Sequence, residues 1–316
     1  TSGGASSQGG DLASRVALSH EVQLHLASRG FPVAGLLGTR DGNNSLLELN
    51  GFIYEVFRFV DGQRYDRTPA GAVAAGRLLA VAHRLLLDLH PRWVPPDTTY
   101  HQHPAVAPSI NELIAREGDA KVRDDLAVLR DAYGRAAAEA DKSPAVVGGV
   151  GGSGPSQLIH ADWHPGNLLF SPAANTSLNA PEIVAVLDFD STRLGRPILD
   201  LANGALQFAV ARRAGEATST GGTAGVGIRV SLNPDLLRAF SEGYLAENSG
   251  IRLQSADLAV IPWLMIEAIV VETIAPIVAT GQFGKVSAAA AIAMTRQAVD
   301  WMGAESARVV SLVGGR

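Results

Sequence analysis

Two short apolar strands, each followed by acidic residues, constrain this chain more than any other feature of its sequence. The first strand is predicted to end at Ile159 and to lead into the run His160-Ala161-Asp162-Trp163-His164-Pro165-Gly166-Asn167. The second, residues 184–187, leads into Asp188-Phe189-Asp190. Short apolar runs bounded by turn residues are typical of buried strands. The sequence therefore predicts two neighbouring loops whose carboxylate and amide groups converge.

These residue types fit phosphoryl transfer. That reaction needs one carboxylate to orient the acceptor hydroxyl and receive its proton, and an amide and a carboxylate to hold Mg²⁺ on nucleotide phosphates. Asp162 is predicted to be the catalytic base. Asn167 and Asp188 are predicted to bind Mg²⁺, because this ion prefers oxygen ligands. For Asp190 the alternatives are a ligand of a second magnesium ion, a substrate contact and an acid that stabilises the loop.

Other polar residues near these loops have structural interpretations. His160 and His164 are predicted to brace the first loop through their rings. Glu267 lies near Trp263 in an apolar tract, where a carboxylate without a partner would be costly to bury. These two residues are predicted to contact a cationic substrate, and the alternative for Glu267 is a solvated or arginine-paired acid.

Composition excludes several other classes of protein. The chain has no cysteine, which excludes disulfides, thiolate catalysis and Cys-based zinc sites. Its formal net charge of −5 gives no support to nucleic-acid binding. Proline and glutamate interrupt the apolar tract 258–279, which favours buried helices over a membrane span. We therefore expect a cytoplasmic protein that acts on a small molecule, without a nucleic-acid or membrane partner.

The remaining pattern is partly β at the N-terminus and mostly helical after it. A flexible leader (1–10) is expected, followed by a helix over 12–29 that Gly30 ends, and a strand over 31–37. Asn50-Gly51 predicts a hairpin between strands 46–49 and 52–60. Further helices are predicted over 70–89, 109–117, 119–140, 197–213, 233–247, 254–280 and 286–302. The glycine-rich segments 149–154 and 215–227 are predicted to be a connection and a surface loop.

The active-site segment resembles the aminoglycoside phosphotransferase and choline/homoserine kinase-like superfamily. The similarity rests on residues 160–167, on Leu187-Asp188-Phe189-Asp190 and on Gly195-Arg196-Pro197-Ile198-Leu199-Asp200-Leu201-Ala202. The step from Asp162 to Asn167 equals that of the protein-kinase catalytic loop, and residues 188–190 stand where a kinase has Asp-Phe-Gly. Weaker similarity covers most of residues 20–300.

The resemblance implies an α+β, two-lobed protein-kinase-like fold. Residues 1–61 would form a small, incomplete β-containing N-terminal lobe with a hinge strand, and residues 62–316 a large, mainly helical C-terminal lobe. It also implies that ATP or GTP binds at the hinge with Mg²⁺, and that the γ-phosphate passes to a hydroxyl of a small molecule such as an aminoglycoside, an amino alcohol, homoserine or a sugar. The helices over 233–302 are expected to line the acceptor pocket.

Individual residues acquire roles from the same resemblance. Backbone groups of Phe57, Arg58, Phe59 and Val60 would contact the nucleotide base. Asp200 matches a structural aspartate that bonds backbone donors near the catalytic loop.

One position departs from the family pattern. Glu21 matches a helix glutamate that pairs with a phosphate-binding lysine on an upstream strand. Twenty residues precede Glu21 here and none is lysine, so the upstream hairpin and its lysine are expected to be missing. Either the N-terminus is truncated, or the phosphates are held differently. The alternative function is therefore a nucleotide- or ligand-binding pseudokinase without turnover.

Overall fold

The computed structural model is a mixed α and β fold in which 57% of the chain is helical. It describes residues 5–93, 97–147, 156–172, 181–214, 228–247, 249–250 and 253–314. The chain forms two compact units. Unit 1 comprises Thr1–Asp97, Pro155–Gly204 and Ala239–Arg252, and unit 2 comprises Thr98–Gly154, Ala205–Arg238 and Leu253–Arg316. The predicted lobe boundary at residue 61 stays a prediction.

Unit 1 begins with two long helices, α1 (Ala5–Ala27) and α2 (Pro69–Leu86). Helix α1 starts at Ala5, so the prediction of a flexible leader over residues 1–10 is wrong from residue 5 onward. Once a helix is nucleated, each further residue adds a hydrogen bond at little cost, which allows it to extend past its apolar part. Gly30, at φ +77°, ends the helix as predicted. Thr68 caps α2 by accepting a hydrogen bond from the Gly71 N–H at 3.2 Å.

The strands of unit 1 form three two-stranded antiparallel sheets, β1–β2, β3–β6 and β4–β5. Their bounds are β1 (Leu47–Leu49), β2 (Phe52–Tyr54), β3 (Gln157–Ile159), β4 (Leu168–Phe170), β5 (Ile183–Val186) and β6 (Arg193–Gly195). The hairpin at Asn50-Gly51 is confirmed, with φ of 53° and 78° at the two turn residues. The second hairpin strand ends at Tyr54, earlier than predicted.

The predicted strand over 31–37 is not continuous. Val33 makes a parallel bridge with Val186, whereas Leu36 makes an antiparallel bridge with Phe57. The segment changes partner within three residues, so no regular ladder forms along it. This divided pairing brings the segment that contains Phe57 close to the end of β5.

Two glycines allow α2 to cross the end of α7 (Pro234–Ala246) at close range. A Cβ atom on Gly76 would lie 2.0 Å from the carbonyl oxygen of Phe240, and one on Gly243 would lie 2.2 Å from that of Val73. Only glycine leaves room for backbones at this distance. The first turns of α6 (Pro197–Ala209) also belong to unit 1.

Unit 2 is mainly helical. It contains α3 (Val106–Arg116), α4 (Ala120–Ala140), α5 (Pro144–Val147), α8 (Ser255–Leu258), α9 (Ile261–Thr280), α10 (Ala288–Ala304) and α11 (Ser306–Val313). Helix α9 packs against α3, α4, α10 and α11. The segment Ser255–Thr280 is long and apolar enough to cross a membrane by length and composition alone, but 61% of its most apolar window is buried, as in the core helix of a globular protein.

Two short antiparallel pairs complete unit 2, namely β7 (Val210–Ala214) with β8 (Ile228–Leu232) and β9 (Gln282–Phe283) with β10 (Val286–Ser287). The predicted helix over 197–213 is therefore wrong after Ala209, because the following residues pair with β8. The predicted glycine-rich segments 149–154 and 215–227 lie outside the described residues.

Candidate active site

A buried carboxylate fixes the loop that follows β3. Asp200 is 1% exposed; its Oδ2 accepts from the His160 N–H at 2.8 Å, and its Oδ1 accepts from the Ala161 N–H at 2.9 Å. The His83 ring contacts the same carboxylate at 3.2 Å. Ala161 has φ +63°, a left-handed conformation that costs energy for a residue with a Cβ atom. The bonds to Asp200 stabilise this turn, which directs the next residue, Asp162, away from the strand.

The side chain of Asp162 is half-buried, with 35% of its surface exposed. Its Oδ2 accepts a hydrogen bond from Asn167 Nδ2 at 3.2 Å and lies 3.5 Å from His164 Nε2. Asn167 Nδ2 also donates to the Asp162 carbonyl oxygen at 3.1 Å. Burial raises the pKa of Asp162, but the hydrogen bond and charge of His164, with smaller contributions from His160 and Asn167, outweigh it and leave the pKa below its ordinary value. Asp162 is therefore ionised at neutral pH.

Two histidines hold this loop in place. His160 Nδ1 accepts from the Asp162 N–H at 3.3 Å, and its Nε2 donates to the Leu187 carbonyl at 3.3 Å. Burial lowers the pKa of His160 more than the surrounding carboxylates raise it, so the ring is neutral. His164 Nδ1 accepts from the Gly166 N–H at 2.9 Å, which leaves its Nε2 to face Asp162. Each ring therefore uses both nitrogens to connect parts of the site.

Asn167 joins the first loop to the second. Its carbonyl oxygen accepts from the Leu187 N–H at 2.8 Å, at the end of the β4–β5 pair. Asp188 follows directly, is exposed and has φ +58°, so a second non-glycine residue of the site has a left-handed backbone. Strained conformations of this kind cluster at functional sites. The structure therefore brings Asp162, Asn167 and Asp188 together through neighbouring backbone.

The second loop ends in another exposed carboxylate, Asp190. Burial raises the pKa of Asp190, as do the charges of Asp188 and Glu55, whereas a hydrogen bond from Ser19 and the charge of Arg15 lower it; the net shift is upward. Repulsion between neighbouring carboxylates is relieved when a cation lies between them. No group of three or more His, Cys, Asp or Glu residues suited to a metal occurs in the described ranges, so a metal ion here would also need other oxygen ligands, such as an amide, water or phosphate.

A cavity of about 550 Å³ opens beside these loops within unit 1. Its apolar wall includes Ala34, Leu169 and Leu187, and Asp188 and Asp190 lie at its acidic end. The volume falls in the range of small-molecule sites. Asp188 thus belongs both to the cavity and to the pair of loops.

The predicted nucleotide contacts Phe57, Arg58, Phe59 and Val60 all line this cavity. The Arg58 N–H donates to the Gly35 carbonyl at 2.7 Å, so this backbone donor is already engaged. Phe59 is 92% exposed.

Glu21 does not line the cavity. Its carboxylate instead accepts from the Arg92 N–H at 3.2 Å, beyond the end of α2. Helix α1 presents Gln23 to the cavity, and Gln23 Nε2 donates to Ser19 Oγ at 3.1 Å. The predicted role of Glu21 at the nucleotide is therefore corrected: Ser19 and Gln23 face the site. Their four-residue spacing could have identified this face of the helix.

Glu267 lies in unit 2 and is completely buried. Its Oε1 contacts His101 Nδ1 at 2.9 Å, and its Oε2 accepts from the Gln102 N–H at 3.0 Å. His101 Nε2 contacts Asp141 at 3.3 Å. Both oxygens of Glu267 are engaged, so the residue belongs to an internal network and the predicted substrate contact is corrected. The predicted partner Trp263 is half-buried in the first turn of α9.

Comparison with known proteins gives a consistent picture. The model of the phosphotransferase enzyme family matches residues 6–240. No curated protein sequence matches the chain. Similar solved structures include an aminoglycoside phosphotransferase from Alicyclobacillus acidocaldarius, at 15% identity over 96% of this chain and 83% of that chain with a TM-score of 0.60. A choline kinase from Cryptosporidium parvum is similar at 11% identity over 94% and 81%, with a TM-score of 0.55.

A third similar structure is a spectinomycin phosphotransferase in complex with ADP and spectinomycin, at 14% identity over 92% of this chain and 83% of that chain with a TM-score of 0.57. At these identities the likeness shows the fold, and it confirms the predicted fold with a small sheet-containing lobe and a larger helical lobe. The family model matches residues 6–240, which is more than half of this chain. The chain therefore belongs to the phosphotransferase enzyme family.

Proposed function

We propose that this protein transfers the γ-phosphate of ATP or GTP to a hydroxyl group of a small molecule in a Mg²⁺-dependent reaction. The observation that carries the proposal is the position of Asn167. Its side-chain Nδ2 donates to the Asp162 carboxylate. Its backbone carbonyl oxygen accepts from the N–H of Leu187, the residue before Asp188. A proton acceptor and a set of oxygen ligands therefore lie side by side, as phosphoryl transfer requires.

Asp162 would act on the acceptor. It is ionised because its carboxylate is bonded by Asn167 and His164, and it remains partly exposed to a substrate. The acceptor oxygen would attack the γ-phosphorus, the bond to the bridging oxygen would break to release the nucleoside diphosphate, and the hydroxyl proton would pass to Asp162. A carboxylate with a lowered pKa is a weak base, so most of its effect comes from orienting the hydroxyl.

Asn167, Asp188 and Asp190 would hold Mg²⁺. Amide and carboxylate oxygens suit this cation, and the mutual repulsion of the two aspartates favours a positive charge between them. When bound, Mg²⁺ supplies charge neutralisation at the β- and γ-phosphates. The apolar part of the cavity would receive the nucleotide base, with residues 57–60 as the hinge.

The acceptor is proposed as a class. Aminoglycosides, amino alcohols, homoserine and sugars all offer a hydroxyl, and the names of the similar structures cover an aminoglycoside phosphotransferase and a choline kinase. A cytoplasmic location, and action on a small molecule without a nucleic-acid or membrane partner, belong to the same proposal.

A second candidate is a nucleotide- or ligand-binding protein without turnover, since no lysine of the given sequence matches the phosphate-binding lysine of the family pattern. The three lysines of the chain are Lys121, Lys142 and Lys285, and all of them belong to unit 2. Against this candidate, Asp162 keeps a partly exposed carboxylate beside the proposed metal ligands, which transfer to a hydroxyl requires and nucleotide binding alone does not use.

A transfer screen distinguishes the two candidates. The protein is incubated with Mg²⁺ and ATP or GTP labelled at the γ-phosphate, together with each class of hydroxyl compound, and labelled product is measured. Transfer that is lost in Asp162→Asn, but kept in the exposed-loop variant Asp88→Asn, supports the enzyme. Nucleotide binding without transfer to any compound or to water would favour the second candidate.

A further inference from the structure

The proposed active site is rich in negative charge. Asp162, Asp188 and Asp190 belong to the two loops, and Glu55 lines the same cavity. A nucleotide triphosphate adds several more negative charges, and one divalent ion cannot offset all of them. Charged hydrogen bonds from side chains would be needed to hold the phosphates. Within the given sequence of unit 1, arginine is the side chain that carries a permanent positive charge, because the lysines at 121, 142 and 285 belong to unit 2.

Helix α1 places one arginine near the acidic end of the cavity. Arg15, Ser19 and Gln23 are spaced by four residues and therefore share one face of the helix. Gln23 lines the cavity and Ser19 bonds Asp190, so this face is directed at the site. Arg15 lies one turn beyond Ser19, is exposed, and is close enough to Asp190 to interact with its charge.

Strand β6 places a second arginine beside the first loop. Arg193 is the register partner of Ile159, the last residue before His160. Its Nε donates to the Ser191 carbonyl at 2.8 Å, which holds the base of the guanidinium, and the side chain interacts electrostatically with Asp162. Burial lowers the pKa of Arg193, and the next largest effect is repulsion from Arg15. The fold thus brings two like charges together, an arrangement that an anion between them would stabilise.

We propose that Arg15 and Arg193 form an anion-binding pair that holds the phosphate groups of the nucleotide. Arg193, beside Asp162, would contact the phosphoryl group that is transferred, and Arg15, beside Asp190, would contact the phosphates nearer the nucleoside. The proposal rests on the proposed function in that it assigns the ligand as a polyphosphate. It extends that function by assigning the phosphate contacts to two residues on different elements of unit 1.

Isothermal titration calorimetry with three probes tests this pair: ATP, adenosine and inorganic tripolyphosphate, each in the presence of Mg²⁺. The variants are Arg15→Gln and Arg193→Gln, with Arg29→Gln as a control that removes the same charge from the exposed turn that follows α1. We expect each site variant to weaken ATP and tripolyphosphate binding by on the order of 10- to 100-fold, the range for charged hydrogen bonds. Adenosine binding should stay within about twofold, because it carries no phosphate.

Arg15→Lys should recover part of the lost affinity, since it restores the charge but not the two-pronged donor geometry. Arg193 is half-buried and bonds the backbone, so folding of Arg193→Gln is checked by circular dichroism. If that variant does not fold, Arg15→Gln tests the proposal, because Arg15 is exposed on a helix.

The outcomes separate this inference from the proposed function. If the wild type transfers phosphate and both variants bind ATP as the wild type does, the arginine pair is wrong and the phosphotransferase stands. If tripolyphosphate binding depends on the arginines but no transfer occurs, the anion site stands and the catalytic proposal fails. If the wild type binds neither ATP nor tripolyphosphate, both are wrong.

Discussion

Two clusters of histidine and carboxylate side chains, one in each unit, use the same chemistry to different ends. The unit 1 cluster consists of His160, Asp162, His164 and Asn167. The unit 2 cluster consists of His101, Asp141 and Glu267. In unit 2 the cluster connects segments that are distant in sequence, whereas in unit 1 it braces a single loop, from which the His160 ring reaches the Leu187 carbonyl.

The clusters differ in what they leave accessible. Asp162 is half-buried, follows a left-handed alanine and has a lowered pKa. Glu267 is completely buried, has both oxygens engaged, and has its pKa raised by burial. A carboxylate that is ionised, exposed and supported by strained backbone is available for chemistry, whereas one enclosed by its own partners stabilises the fold. In this protein, exposure therefore distinguishes the candidate functional carboxylate, Asp162, from the structural one, Glu267, although both carboxylates pair with histidine.

The largest effect is expected at Asp162. Asp162→Asn keeps the shape but removes the anionic oxygen that orients the acceptor hydroxyl and receives its proton, so kcat should fall by about 10²- to 10⁴-fold. The dissociation constant for nucleotide should change by no more than about twofold, because Asp162 does not line the cavity. Steady-state kinetics and calorimetry measure the two quantities. A variant that kept more than about a tenth of its turnover would remove Asp162 from the catalytic role.

Glu267→Ala should affect stability instead of chemistry. It leaves His101 and the Gln102 N–H without their buried partner, and breaking such a pair typically costs about 3–5 kcal/mol of the free energy of unfolding. Glu139→Ala, which removes an exposed ion pair with Lys142, should cost less than about 1 kcal/mol. Urea denaturation measures both. Equal losses in the two variants would mean that the unit 2 cluster does not stabilise the fold in the way proposed.

The unit 2 cluster should also make stability depend on pH. Burial lowers the pKa of His101, but Glu267 and Asp141 outweigh burial and raise it above its ordinary value. Protonated His101 therefore stabilises the folded state fully below about pH 6.5, and this contribution is lost as pH rises through the folded pKa. The pKa of Glu267 is also raised. Its titration therefore lowers the free energy of unfolding as pH rises as well, but at lower pH than that of His101. The other titratable group that faces Glu267 is Tyr133, whose pKa is raised out of this range.

Comparison of the wild type with His101→Gln tests this dependence. The free energy of unfolding of the wild type should fall by about 1–3 kcal/mol as pH rises above about 6.5, the range for a hydrogen bond to a charged group. The variant should show a smaller slope over the same interval. An unchanged slope would mean that His101 is not the titrating group.

The smallest effect is expected at the strained turn. Ala161→Gly should raise the free energy of unfolding by about 1 kcal/mol, because glycine adopts φ +63° without steric cost. Ala138→Gly, at an exposed position within α4, should lower it by about 0.5–1 kcal/mol. Opposite signs for the same substitution would confirm that strain is located in the unit 1 cluster. A loss at both positions would contradict it.

The features that depend on neighbouring residues could be predicted from the sequence. The Asn50-Gly51 hairpin, the end of α1 at Gly30 and the two loops at residues 160–167 and 188–190 all follow from local preferences and spacing. The contact of Asp200 with the backbone of His160 was expected only from the family resemblance, since the two residues are 40 positions apart.

The features that depend on distant partners could not be predicted in this way. His101 and Glu267 are 166 residues apart in the sequence. The residues around each of them give no sign that the two side chains pair. Strand β7 forms because β8 pairs with it, although residues 197–213 look helical on their own. The role of Glu21 was expected only from the family resemblance; successive side chains on α1 turn by about 100°, so Glu21 does not share the face of Ser19 and Gln23.

The central claim is that the two loops share one divalent cation beside a nucleotide. The most direct test is to measure the affinity for ATP by calorimetry with and without Mg²⁺, in the wild type and in Asp188→Ala. If the two loops share the cation, Mg²⁺ should tighten ATP binding in the wild type and have little effect in the variant. A variant whose affinity responds to Mg²⁺ as strongly as that of the wild type would contradict it.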